Sequence, residues 1–125
     1  MKSSSYSVIV KYILAHYLCV KKRLTPRRVY NILVRIPEGK ITTYGDIARA
    51  LGHPNASRAI GKILNKNPNP IVVPCHRVVM SNGKIGGYAL GKARKKQLLK
   101  KEGVHFMDDD VYDFAACRTD LVKLS

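Results

Sequence analysis

A cysteine and a histidine stand side by side in the run Pro74-Cys75-His76-Arg77-Val78. The pairing matters because the thiolate is the nucleophile, and an ordinary thiol near neutral pH supplies only a few per cent of it. An adjacent imidazole can take the proton, directly or through a water. The chemistry within reach is attack by sulfur on an electrophilic carbon. Alone, the five residues are weak grounds. A free cysteine is often buried and inert, and a lone histidine is more often structural than catalytic.

The elements that must position this pair can be read along the chain. Residues 4–22 predict a first helix, ending in Lys21-Lys22-Arg23. Thr25-Pro26 reads as a second helix start, with Thr25 as cap and Pro26 in the first turn. Val29, Ile32, Leu33 and Ile36 recur at helical spacing and predict one buried face; Pro37-Glu38-Gly39 stops the helix. Thr43 caps a short helix through Ile47 and Leu51, and Gly52 ends it. After the turn His53-Pro54-Asn55, a helix over residues 56–66 places Ile60, Ile63 and Leu64 inward. Two short helices joined by a tight turn form a helix-turn-helix candidate, a pattern that also serves plain packing.

Past Asn67 the character changes. Pro68 and Pro70 exclude a helix, and residues 71–73 read as an extended lead into Pro74. Val78-Val79-Met80 followed by Ser81-Asn82-Gly83-Lys84 predicts a short β-hairpin turning at Asn82-Gly83. Gly86-Gly87 is a flexible or closely approached loop. A basic helix over residues 91–102 turns Leu98 and Leu99 inward and stops at Gly103. The expected fold is mainly α, a winged-helix-like helix-turn-helix domain with a short β-hairpin. Three segments are expected: an N-terminal helix (1–23), the main domain (24–106) and an acidic tail (107–125), the last without assigned elements.

The string Thr42-Thr43-Tyr44-Gly45, Ser57-Arg58-Ala59-Ile60-Gly61, Asn67-Pro68-Asn69-Pro70, Pro74-Cys75-His76-Arg77-Val78, Gly86-Gly87-Tyr88 and Glu102-Gly103 resembles, in order and spacing, the C-terminal domain of the O6-alkylguanine-DNA alkyltransferases. The resemblance runs over residues 24–106. It implies a DNA repair protein that moves an alkyl group from guanine O6 irreversibly to Cys75, once per molecule, on a base flipped out of the duplex. It implies His76 as proton acceptor one water from the thiol, with Glu102 against it to fix the tautomer. Tyr44 would donate to guanine N3, where negative charge collects as the base departs. Asn67 would tie the turn before the active site to the recognition helix, although Asn also favours such turns for local reasons. Carbonyls of Cys75 and Val78 would hold the exocyclic amine. Tyr88 and Pro70 would wall the alkyl pocket, and the Ala89 N–H would lie near O6. Arg58 would fill the vacated stack, with Ala56, Ser57, Gly61 and Thr43 also at the minor groove. Two departures stand out. Relatives usually carry Ser-Gly where this chain has Ala89-Leu90. Most also have a separate N-terminal domain, whereas 23 residues precede the shared part here, as expected of a stripped-down member or a portion of a fusion.

Bulk properties agree with a nucleic-acid partner. The formal net charge is +15, far beyond what solubility needs, and a body this basic favours a polyanion. The charge is uneven. Residues 1–106 carry 21 Lys and Arg against 3 acids, and residues 107–125 carry 2 against 5. Cys19, Cys75 and Cys117 form neither a disulfide framework nor a paired zinc motif. That spacing predicts a reducing, intracellular setting, and the resemblance to DNA repair proteins implies a cytoplasmic, nucleoid-associated or a nuclear one. His16 and Cys19 do not make a metal site, and no metal or cofactor is expected. The apolar run from Tyr6 to Val20, interrupted by Lys11 and His16, is too short and polar to span a bilayer. The expected partner is double-stranded DNA containing O6-alkylguanine, bound by a monomer away from membranes. Two other readings stay open: a lesion-binding alkyltransferase-like protein, against which Cys75 argues, and a plain helix-turn-helix regulator.

Overall fold

Two threonines start the first two helices. The structure, a computed structural model, describes residues 23–121, so the helix expected over residues 4–22 lies outside the described residues. Thr25 sits extended and accepts the Arg28 N–H, with Pro26 in the first turn of α1 (Pro26–Leu33). Thr43 does the same for α2 (Tyr44–Ala50), accepting the Asp46 N–H at 3.0 Å. Such caps satisfy a helix-start N–H and are each worth about 1 kcal/mol. As the spacing predicts, Val29, Ile32, Leu33 and Ile36 are all buried.

α2 ends in a tight turn in which His53 N–H bonds the Ala48 carbonyl at 2.8 Å. Then α3 (Ser57–Asn65) packs back on α2, with Ile60 and Leu64 buried. The helix-turn-helix is present. Its α3 has no side-chain cap at Ala56, which leaves the first N–H groups of this helix open to other acceptors.

Two minimal strands fix the centre. β1 (Thr42–Thr43) and β2 (Val78–Val79) pair in parallel, Thr42 against Val78 and Thr43 against Val79. Alternation along β2 splits the core. Val78 joins the helical cluster of Val29, Leu33, Ile47, Ile60 and Cys75. Val79 joins a second cluster with Ile41, Leu99, Val104 and Val111. A strand covered on both faces suits parallel pairing. This corrects the hairpin expected at Asn82-Gly83. The turn itself forms, with Gly83 at φ +86 and its N–H on the Met80 carbonyl, but Val78–Val79 is paired with β1 instead.

The fold's hairpin lies later. β3 (Phe106–Met107) and β4 (Asp110–Val111) pair antiparallel, the chain reversing through Asp108 at φ +54. α4 (Lys92–Lys101) precedes it, and a short α5 (Phe114–Cys117) follows. The change in charge at residue 107 does not coincide with a change in packing. Ile41 N–H bonds the Cys117 carbonyl and Thr119 N–H bonds the Ile41 carbonyl, placing this stretch beside β1. Leu121 is buried in the helical core. Arg118 forks onto Asp46 of α2 at 2.6 and 2.7 Å. Among the described residues no helix is long and apolar enough to cross a membrane.

Candidate active site

The turn between α3 and Cys75 is built around Asn67. The extended run expected over residues 71–73 is instead a tight loop, in which Val73 N–H bonds the Asn69 carbonyl and Ile71 takes φ +78. Pro68, Pro70 and the local hydrogen bonding of Asn67 explain the difference. Its Oδ1 accepts the Asn69 N–H at 2.9 Å, and its Nδ2 donates to the Val73 carbonyl at 2.9 Å. The same Nδ2 lies 3.4 Å from Cys75 Sγ. Asn67 thus holds the loop closed and presents a donor to the sulfur.

Cys75, His76 and Arg77 form a single 3₁₀ turn immediately before β2. Cys75 and His76 are buried. His76 Nε2 meets Glu102 Oε2 at 2.9 Å. Glu102 also receives Arg77 through both arms of its guanidinium, Nε to Oε1 at 2.9 Å and Nη2 to Oε2 at 2.7 Å. Arg77 Nη1 is anchored on the Ile36 carbonyl at 2.6 Å. An acid at a helix C-terminus opposes the helix dipole. Glu102 occupies that position at the end of α4, and His76 and Arg77 supply the compensation. Burial alone would raise its pKa, but the hydrogen bonds from Arg77 and His76 outweigh burial and hold the carboxyl below its ordinary value.

The histidine is left as a base. Burial, together with the charges of Arg77 and Lys95, lowers its pKa by more than Glu102 raises it, which favours the neutral ring at pH 7. A neutral ring that donates from Nε2 to Glu102 carries its lone pair on Nδ1. His76 Nδ1 is buried without a hydrogen-bond partner. A buried polar atom left unpaired is uncommon and asks for an explanation; a proton acceptor in waiting is one.

Tyr44 opens α2 and is half-buried, its phenol pKa raised by burial and by the nearby Cys75. Gly86, at φ +72, lies over it. That φ favours glycine, and a Cβ there would also crowd Met80 Cγ at 3.2 Å while reaching Tyr44 Oη at 3.5 Å. A groove of about 530 Å³ runs from Tyr44 and Gly86-Gly87 to Ser57, Arg58 and Gly61 of α3. Arg58 and Ser57 are exposed along it. Ser57, Arg58 and Gly61, expected at DNA, therefore share one surface with Tyr44, expected at the base.

The other expected positions divide. Tyr88 is half-buried and stands edge-on to the His76 ring at 6.4 Å, its hydroxyl buried without a partner. Pro70 is half-buried and bridges Val73; Ala89 is exposed, as is Leu90. Ala56 is half-buried before α3. Val78 is fully buried, and its N–H occupies one lone pair of the Cys75 carbonyl. Thr43 departs from expectation. It is fully buried and spends its hydroxyl on the Asp46 N–H, because capping α2 turns it inward, away from any groove. Two residues escaped the sequence reading. Arg77 had only its place beside His76 to signal it. Lys95 is fully buried, and its spacing four before Leu99 on the inward face of α4 was the available sign. Among the described residues no cluster of His, Cys, Asp and Glu could hold a metal.

Comparison with known proteins bears on this geometry. Residues 25–104 match the family model described as "6-O-methylguanine DNA methyltransferase, DNA binding domain". A methylated-DNA--protein-cysteine methyltransferase of Methanosarcina acetivorans is 53% identical over 77 residues, 62% of this chain and 49% of that protein. One of Candida glabrata is 44% identical over 90 residues, 72% of this chain and 44% of that protein. The chain thus spans about half the length of these curated relatives. Among solved structures, Mycobacterium tuberculosis OGT in complex with DNA aligns with a TM-score of 0.61 at 44% identity, covering 65% of this chain and 51% of that one. S. pombe Atl1 in complex with damaged DNA containing O6-carboxymethylguanine aligns at 0.63 with 32% identity, covering 75% of this chain and 93% of that one. The fold of the described residues is that of these domains.

Proposed function

Because this chain belongs to the 6-O-methylguanine DNA methyltransferase DNA-binding-domain family, we propose that it repairs DNA by accepting the alkyl group of O6-alkylguanine on Cys75. The observation that carries the reading is the buried relay: Cys75 next to a neutral His76, whose Nε2 is committed to Glu102 and whose Nδ1 is unpaired.

The thiol proton passes to His76 Nδ1, directly or through one water, and Glu102 stabilises the imidazolium that results. The thiolate attacks the alkyl carbon in line with O6. The S–C bond forms, the C–O6 bond breaks, and the electron pair stays on guanine. Tyr44 donates to N3 as that charge collects. The product is a thioether, which nothing in the site reverses, so each molecule acts once. A donor at the sulfur from Asn67 steadies the thiolate before attack.

Such a site cannot be reached by a base inside a duplex, so the base must be flipped out. The groove from Arg58 to Tyr44 gives the path. Arg58, exposed on α3, fills the vacated stack, and the basic surface holds the phosphates in the minor-groove orientation. The protein acts as a monomer within the cell. Catalysis needs no metal or cofactor, since sulfur, imidazole and phenol supply the nucleophile, base and acid.

A second reading has a specific observation behind it. The S. pombe Atl1 chain, solved in complex with damaged DNA containing O6-carboxymethylguanine, is matched over 93% of its length, and a lesion-binding role without transfer is the alternative it suggests. Cys75 decides between them. The test is intact mass after incubation with a duplex containing O6-methylguanine, followed by peptide mapping. A gain of about 14 Da on Cys75 for one methyl transferred, with no second turnover, supports repair. Tight binding without a mass change supports the lesion-binding role. An adduct on Cys117 in place of Cys75 would overturn the assignment.

A further inference from the structure

Asp46 of α2 receives two arginines, one more than its charge requires. Arg118 forks onto both carboxylate oxygens, Nε to Oδ2 at 2.7 Å and Nη2 to Oδ1 at 2.6 Å. Arg49 adds a third contact, Nη2 to Oδ1 at 2.5 Å. The two cations are held differently. Arg118 lies over the Phe114 ring at 5.3 Å, and its neighbours Cys117 and Thr119 are tied to Ile41 through the backbone. Arg49 pairs with a residue three positions back on its own helix, and its side chain is 56% exposed against 37% for Arg118. Burial works against the charge on Asp46, but hydrogen bonds from Arg118, then Arg49, hold its pKa below the ordinary value. The fork alone satisfies both oxygens, so Arg49 is the arginine that can leave.

Arg49 also stands where leaving is useful. It lines the groove that holds Tyr44, Gly45, Ser57 and Arg58. On its other side it lines a cavity of about 570 Å³ with Asp46, Phe114, Arg118 and Asp120. Two carboxylates in that second cavity turn an anion away, whereas no acid lines the groove. A Cβ on Gly45 would lie 3.3 Å from Arg49 Nη1, so the guanidinium reaches back along α2 toward Tyr44.

We propose that Arg49 is a DNA-positioning residue that moves off Asp46 onto a backbone phosphate beside the flipped nucleotide, and that Arg118 is the standing counter-charge that releases it. The proposal rests on the reading of this groove as the path of the damaged strand. An exposed ion pair between close helix neighbours is weak and screened by salt. A guanidinium on a phosphate is a charge-assisted contact that can use two N–H groups, and it releases a bound counterion. The exchange therefore favours the phosphate, provided that Asp46 is not left unpaired. Arg118 lies beyond residue 104, where the family match ends, so the counter-charge comes from a segment outside the matched region.

The experiment is duplex binding by Cys75→Ala protein, which cannot transfer, followed by fluorescence anisotropy from about 50 to about 200 mM salt. Arg49→Gln should weaken binding roughly tenfold at the low end and flatten the slope of log K against log salt by about 0.9. The loss should be the same on damaged and undamaged duplex, because phosphates carry no lesion. Arg118→Gln should weaken binding as well, since Arg49 then becomes the counter-charge of Asp46, and it should have no further effect in the Arg49→Gln background. Should Arg118→Gln fold poorly, the pair Asp46→Asn with Arg118→Gln leaves no orphaned carboxylate; adding Arg49→Gln to that pair should again flatten the slope by about 0.9. An unchanged slope in Arg49→Gln overturns the proposal. Equal losses from Arg118→Gln in both backgrounds overturn it too, by showing that the arginines act only through the overall positive field. Absence of a Cys75 adduct on wild-type protein overturns the repair reading and leaves the slopes to judge Arg49. Failure of the Cys75→Ala protein to bind duplex overturns both.

Discussion

Arg77 grips Glu102 with a two-pronged ion pair across 25 positions of sequence, Nε on Oε1 at 2.9 Å and Nη2 on Oε2 at 2.7 Å. The same Oε2 receives His76. Arg77 thus fixes the carboxylate that fixes the histidine. Both members of the pair are largely buried, at 12% and 13% side-chain exposure, so breaking it leaves a poorly solvated charge. Arg77→Ala should cost roughly 3 kcal/mol of stability, read by urea denaturation, and should slow transfer as well. Arg77→Lys keeps the charge but loses the fork and should restore little of the rate. Full activity in Arg77→Lys would show that charge alone suffices.

Glu102 links this network to acid stability. Its pKa is lower in the folded protein than in the unfolded chain, where it is about 4.5. The unfolded state therefore binds more protons between the two values. The stabilisation is whole above pH 4.5 and disappears as pH falls through the folded value. Glu102→Gln should be less stable than wild type at pH 7, and the gap should close on acidification. Parallel stability curves for the two proteins down to pH 3 would contradict this.

The His76 ring must be neutral to accept a proton, and its pKa lies below 6.5. On the acid side, transfer to free O6-benzylguanine should hold steady from pH 7 to about 6.5 and fall only below that. His76→Gln should be slow throughout, without the acid limb. A wild-type rate that already declined on going from pH 7.5 to 7 would place the essential base elsewhere.

Arg58 is exposed on α3 beside the groove that leads to Tyr44. If it fills the gap left by a flipped base, Arg58→Ala should slow repair of duplex DNA by up to roughly a hundredfold, since unstacking costs a few kcal/mol. Reaction with the free base should barely change. Equal losses on both substrates would reduce Arg58 to a general role.

Ile71 is a β-branched residue at φ +78 and is 44% exposed. The left-handed region is strained for such a residue, at about 1 kcal/mol or more, and its burial is only partial. Ile71→Gly should raise the urea midpoint. Val72→Gly, exposed and outside that region, should lower it through backbone entropy. Both variants losing stability equally would show that no strain is stored in the loop.

Much of this protein was determined locally. Thr25 and Thr43 cap helices because a short hydroxyl side chain bonds a backbone N–H three residues on. Val29, Ile32 and Leu33 face inward because their spacing puts them on one stripe of a helix, and Ile36 is buried in the turn that follows it. The Cys75-His76 pair was legible because the two are adjacent. What lay beyond local rules was set by long-range pairing. The chain turns back at Asn82-Gly83 as its local residues dictate, but no local signal tells Val78–Val79 to pair with Thr42–Thr43 rather than with the residues beyond that turn; burial on both faces decides it. Residues 106–121 carry no periodic signature. Their hairpin and their place beside Ile41 follow from surfaces that the rest of the fold supplies. Nor does the order of residues show that Arg77 serves Glu102, and only the spacing from Leu99 marks which lysine in a helix of lysines is the buried one. Charge in a sequence reads as solvated by default. Only tertiary packing, which brought α4 against the 3₁₀ turn, took Glu102 and Lys95 out of water and turned them toward Cys75, His76 and Tyr44.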